Sequence, residues 1–128
     1  MSFMVLPTTP ITNYVTAAAG GAYANSPQLT LGINEVTTVV TAGDSVQAPP
    51  ANIGGSFVVI NSGAAGTTGL KIWGQAANAA NGGVADQFML HGSSALTPAA
   101  TGVALAAGHC SWFACTQPGV WKQIGDFS

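Results

Sequence analysis

From residue 28 onward, apolar and polar positions alternate or gather in short β-branched runs, whereas residues 1–27 show no period. Leu29-Thr30-Leu31-Gly32-Ile33 alternates, and Val36 to Thr41 is β-branched throughout, which favours a pleated strand over a helix. Ala42-Gly43-Asp44 reads as a turn, followed by Ser45-Val46-Gln47-Ala48 and a stop at Pro49-Pro50. Gly54-Gly55 opens Ser56 to Asn61, an apolar run dense enough to predict a strand buried on both faces. Leu70-Lys71-Ile72-Trp73 alternates cleanly. Gln75 to Ala85, with its Asn81-Gly82-Gly83, predicts a turn despite the alanines. Phe88-Met89-Leu90 is too short to assign. His109 to Cys115 and Val120 to Ile124 predict two strands that pair antiparallel across Thr116-Gln117-Pro118-Gly119. Short strands punctuated by Gly, Pro and Asn predict an all-β fold, a compact β-sandwich or barrel spanning 28–128.

Residues 1–27 carry no charge and include Pro7, Pro10 and Pro27. Proline fixes φ and pushes the preceding residue toward extended geometry, so this segment predicts an extended N-terminal arm, strand-like around Ile11 to Val15. Its apolar side chains, Phe3, Met4, Val5, Leu6, Ile11 and Tyr14, are the candidate anchor contacts with a partner or with another subunit.

Charge changes the picture more than any motif does. Only 5% of the residues are charged, against about 25% in an ordinary soluble domain. The cations are Lys71 and Lys122, and the acids are Glu35, Asp44, Asp86 and Asp126. A surface of Thr, Ser, Asn, Gln and backbone can be buried without a large ionic desolvation cost, which suits a permanent assembly. The hydrophobic fraction of 48% rules out the composition of a disordered chain. Two scattered lysines cannot form the cationic patch that phosphate binding needs, and they supply no polybasic membrane tether. No apolar run approaches the ~20 residues of a membrane span. The first residues have neither a basic start nor a continuous apolar stretch, so the sequence predicts synthesis in a reducing cytoplasm.

Four pieces of the chain carry a resemblance. They are Val39 to Pro49, with its Ala-Gly-Asp-Ser-Val; Gly54-Gly55-Ser56-Phe57-Val58-Val59-Ile60-Asn61-Ser62-Gly63; Leu70-Lys71-Ile72-Trp73-Gly74 with the Asn81-Gly82 turn; and Ala106-Ala107-Gly108, Phe113-Ala114-Cys115 and Gly119-Val120-Trp121. Together they resemble a pattern common among small virion proteins of tailed bacteriophages, including head decoration (cement) proteins and parts of tails or fibres. The resemblance implies a homotrimer on the capsid surface, bound to the major capsid protein and bridging capsomers, made in the cytoplasm of a host bacterium. The alternative is a tail-fibre or receptor-binding module whose tryptophans stack on host glycans. An unrecognised hydrolase ranks third.

Catalytic material is sparse. His91 and His109 are the imidazoles, Glu35 is the single glutamate, and no G-x-S-x-G, H-E-x-x-H, P-loop or EF-hand spacing occurs. The sequence predicts no enzyme, no cofactor and no metal. Cys110 and Cys115, if on one strand, lie roughly 16 Å apart and on opposite faces, too far for the ~7 Å limit of a disulfide. They predict two free thiols. Trp73, Trp112 and Trp121 lie within apolar strands and predict core or subunit-interface anchors rather than a glycan platform.

Overall fold

The computed structural model describes residues 12–19, 23–41, 43–63 and 69–127. Its strands are β1 (Thr12–Thr16), β2 (Gly32–Thr38), β3 (Ser45–Gln47), β4 (Ser56–Asn61), β5 (Leu70–Trp73), β6 (Gln87–Met89), β7 (Leu96–Pro98), β8 (Val103–Leu105), β9 (Cys110–Gln117) and β10 (Val120–Phe127). They form a sandwich of a seven-stranded sheet, in the order β1-β2-β4-β9-β10-β6-β7, and a three-stranded sheet, β3-β5-β8. The expected all-β class holds, and of the two expected architectures the sandwich is the one formed.

The chain shuttles between layers. β2 and β4 pair in parallel within the large sheet, while β3 and β5 pair in parallel within the small one. The chain therefore leaves one layer, crosses to the other and returns, with no helix among the described residues of either crossover. The predicted hairpin is present: β9 and β10 run antiparallel around Pro118-Gly119. Gly119 has φ +75, the left-handed conformation that a Pro-Gly type II turn requires at its second central residue. Such a turn splays twisted strands, and the ladder slips by one residue at once, Val120 facing Gln117 and Trp121 facing Cys115.

The core lies between the layers. Phe57, Val59, Phe113, Phe88 and Trp121 descend from the large sheet onto Val46, Leu70, Ile72, Val103 and Leu105 of the small one. Phe57 stacks on Phe113 with ring centroids 4.8 Å apart, and it meets Trp121 edge-on at 4.7 Å. Offset and edge-on ring pairs contribute beyond their buried area. Buried Asn34 fastens three strands: its oxygen accepts from Asn13 Nδ2 and from the Thr30 N–H at 3.0 Å, and its amide donates to Val58 O at 3.2 Å.

β1, Thr12–Thr16, falls in the strand-like stretch expected around Ile11 to Val15 and pairs in parallel with β2 in the large sheet. Downstream, Ala18 bridges Ser45, and Gln47 donates its N–H to Pro27 O, so described residues on both sides of 20–22 are bound to β3 of the small sheet. Backbone groups of an uncharged extended segment need partners, and the sheet edges supply them. One expectation is corrected: β4 is buried on one face only. Phe57, Val59 and Asn61 point into the sandwich, while Val58 and Ile60 face outward and are half-buried.

Candidate functional site: the outer face of the large sheet

Side chains alternate across a strand, so strand register decides which residues share a face. On the face of the large sheet turned away from the small one, a row crosses five strands: Tyr14, Glu35, Ile60, Cys110 and Phe127. The next row is Thr12, Ile33, Val58, Trp112 and Gly125. The Phe127 ring folds over Gly125, where a Cβ would come within 2.4 Å of the ring. A third row holds Ser56, Ala114, Lys122, Met89 and Leu96. The centre of this face is aliphatic and aromatic. Trp112 remains 46% exposed, Phe127 54% and Tyr14 69%.

The two charges on these rows stand at opposite corners. Glu35, on β2 in the first row, accepts from Ser62 Oγ at 2.9 Å. Lys122, on β10 in the third row, is half-buried. The outer face of the small sheet differs in kind, presenting Gln47, Lys71, Trp73 and Ala104, with Lys71 Nζ 4.8 Å from the centre of the Trp73 ring.

A second feature is an apolar cleft of about 350 Å³ lined by Tyr23, Trp73, Ala76, Ala77, Ala85, Ala99 and Ala100. Tyr23 meets Trp73 edge-on at 6.4 Å, and its hydroxyl oxygen accepts the Ala76 N–H. The indole N–H of Trp73 is buried without a hydrogen-bond partner among the described residues.

A third, more polar hollow of about 540 Å³ lies beside Asp86, between residues 51–52, 81–87 and the Pro118-Gly119 turn. Asp86 is buried, its Oδ2 accepts the Ala51 N–H at 2.8 Å, and burial raises its carboxyl above the usual range while that N–H bond opposes the rise. Burial also raises the Cys115 thiol, backed by the negative charge of Asp86 and offset in part by backbone bonds at Val120 and Gln117. His91 is exposed in the turn after β6, and His109 is half-buried just before β9. Among the described residues no group of three or more His, Cys, Asp or Glu is gathered to hold a metal ion. No helix among them is long and apolar enough to cross a membrane.

Of the sequence-predicted contact residues, Tyr14 lies on the outer face, at its β1 edge. Phe3, Met4, Val5, Leu6 and Ile11 lie outside the described residues. The three tryptophans separate. Trp121 is fully buried, Trp73 lines the cleft, and Trp112 is exposed on the outer face rather than in the core. Cys110 and Cys115 are free and point to opposite faces of β9. Ile33, Val58 and Ile60 were the residues that sequence reasoning missed as a surface. Their alternation with inward-facing Asn34, Val59 and Asn61 was the available signal.

Comparison with protein-family models, with curated proteins and with solved structures found no match to the chain.

Proposed function

We propose that this protein is a non-enzymatic structural component of a phage virion, a decoration protein that binds the outer surface of the head and reinforces contacts between capsomers. The observation that carries the reading is the outer face, which marks the chain as one that works in an assembly. A sheet with Trp112, Phe127, Val58, Ile60 and Ile33 turned toward water is a surface built to be covered, and large exposed apolar patches mark interaction sites. A chain with 5% charged residues adds little ionic desolvation cost when buried in a shell. The resemblance to small phage virion proteins supplies the location, the major capsid protein as partner and the expectation of a homo-oligomer. Tyr14 and the segment before Thr12, with Phe3, Met4, Val5, Leu6 and Ile11, are the proposed shell contacts.

The glycan-binding alternative is favoured by one observation, the exposure of Trp112. Its row neighbours are Val58, Ile33 and Gly125, which offer no side-chain groups to a sugar hydroxyl, so this reading is the weaker.

The test is addition of the purified protein to isolated heads that lack it, with binding followed by co-sedimentation and the position located by electron microscopy. Saturable binding at defined capsomer sites is expected. Absence from heads, or density confined to tail fibres, overturns the decoration role.

A further inference from the structure

The rows of the outer face set one acid and one base on an apolar field, an arrangement that can pair with itself. We infer that this face is covered by a second copy of the same chain, packed sheet on sheet about a two-fold axis. The inference rests on the reading of the protein as an assembly component and names the partner of this one face.

The geometry follows from the register. Strands lie about 4.8 Å apart and same-face residues along a strand about 6.6 Å apart. On that grid Glu35 and Lys122 stand three strands and two rows apart, at opposite ends of one diagonal. A two-fold axis lying between two facing sheets, perpendicular to this diagonal, carries the Glu35 position onto the Lys122 position. Each Glu35 then meets Lys122 of the other copy, twice per pair, the reciprocal pattern that defines an isologous interface. On that grid the same operation sets Trp112 between Val58 and Trp112 of the second copy, close to the axis. Because the diagonal runs near 45° to the strands, the strands of the two sheets cross close to a right angle. Orthogonal crossing is one of the two arrangements in which sheets pack face to face.

Size and charge agree with this occupant. Five strands by three rows give a flat footprint of roughly 500 Å². Once the relief of the side chains is included, this approaches the roughly 800 Å² per partner of a standard interface. Among the described residues the face carries one acid, Glu35, and one base, Lys122, so a copy of itself pairs both. A strongly charged partner would leave its own charges buried and unpaired. Pairing about a two-fold axis gives an even number of copies. The expectation of three came from the resemblance and from shell symmetry, not from this surface.

Sedimentation equilibrium of the full chain tests the inference, with charge reversal as the probe. The natural protein is expected to be a dimer. Glu35→Lys and Lys122→Glu each set like charges against each other and should weaken dimerisation at least about tenfold, a change of roughly 1.4 kcal/mol. The double variant with both changes should regain affinity to within a few-fold, which a general loss of folding cannot mimic. Thermal unfolding of each variant checks that the fold is intact. Cys110, on the same face, reports independently: a photoreactive maleimide attached there should crosslink to residues of another copy. A monomeric natural protein, a double variant no better than the single ones, or Cys110 crosslinks confined to residues 1–11 of its own chain would overturn the inference. If the dimer forms but heads are not bound, the virion role alone fails. If heads are bound by a monomer, the self-pairing alone fails.

Discussion

The indole N–H of Trp121 donates to the carbonyl of Pro49 at 2.9 Å, across a separation of 72 residues. This bond ties the central strand β10 to the loop that carries the chain from the small sheet back to the large one. Trp121 is fully buried, with Phe57 edge-on beneath it. Trp121→Phe removes the donor, strands the carbonyl and leaves a void. We expect a loss of about 2–3 kcal/mol, seen as a lower urea midpoint with an unchanged slope.

Two glycines with similar backbones should respond differently to alanine. Gly102 has φ +67, and a Cβ there would lie 2.7 Å from Ile72 O; Gly108 has φ +79 with nothing within 4 Å. Gly108→Ala carries only the left-handed backbone penalty of about 1–2 kcal/mol. Gly102→Ala adds overpacking against a strand carbonyl and should cost about 3 kcal/mol or more. Chemical denaturation of both variants checks the order, and equal losses would contradict the packing at Ile72.

Asp86 sets a direction for the pH dependence of stability. Burial raises its folded value above that of the unfolded chain, so between the two values the native state holds the extra proton. The stabilising contribution is complete below the ordinary aspartate range, about 3.9, and is lost as pH rises through the raised folded value. Asp86→Asn cannot titrate. Stability curves of the two proteins should converge at low pH and separate in favour of the variant as pH rises. A natural protein that gains stability relative to the variant over that interval would reverse the sign.

The thiols should be distinguishable in the native protein. Cys115 is buried and its thiol is raised, whereas Cys110 is only half-buried. The thiolate is the reactive form, so in protein diluted until the paired faces separate, alkylation should label Cys110 first and reach Cys115 only on unfolding. Denatured, non-reduced protein should titrate two thiols per chain. A mass two daltons low would require β9 to be broken between Cys110 and Cys115.

Much of the fold was legible along the chain, because strand periodicity is a local property. Alternation at Leu70-Lys71-Ile72-Trp73 became β5, the Pro-Gly turn closed the β9–β10 hairpin, and strand parity placed Cys110 and Cys115 on opposite faces. What was not legible depends on neighbours far away in sequence. Val58 and Ile60 read as buried because they are apolar, yet only the pairing of β4 with β2 and β9 reveals that they face away from the small sheet. Trp112 was misjudged in the same way. Asp86, between Ala85 and Gln87, carries no local sign of burial, since its shelter comes from Ala51 and the Pro118-Gly119 turn. The segment from Thr12 to Pro27 looked like an arm because its proline-broken sequence has no period, and a few parallel ladder bonds suffice to hold it.

The order of strands in the large sheet has a consequence for how the protein is made. β9 and β10, last in chain order, stand in the middle of the sheet between β4 and β6. A nascent chain that has reached only β8 therefore has two unjoined flanks, with the inner surfaces of Phe57 and Phe88 awaiting Phe113 and Trp121. Folding is a closing step that waits for the last hairpin, which inserts like a keystone. Translation that stops short of β10 leaves no smaller stable version of the sheet, and the long-range pairings formed at that moment make closure slow compared with forming the hairpin itself.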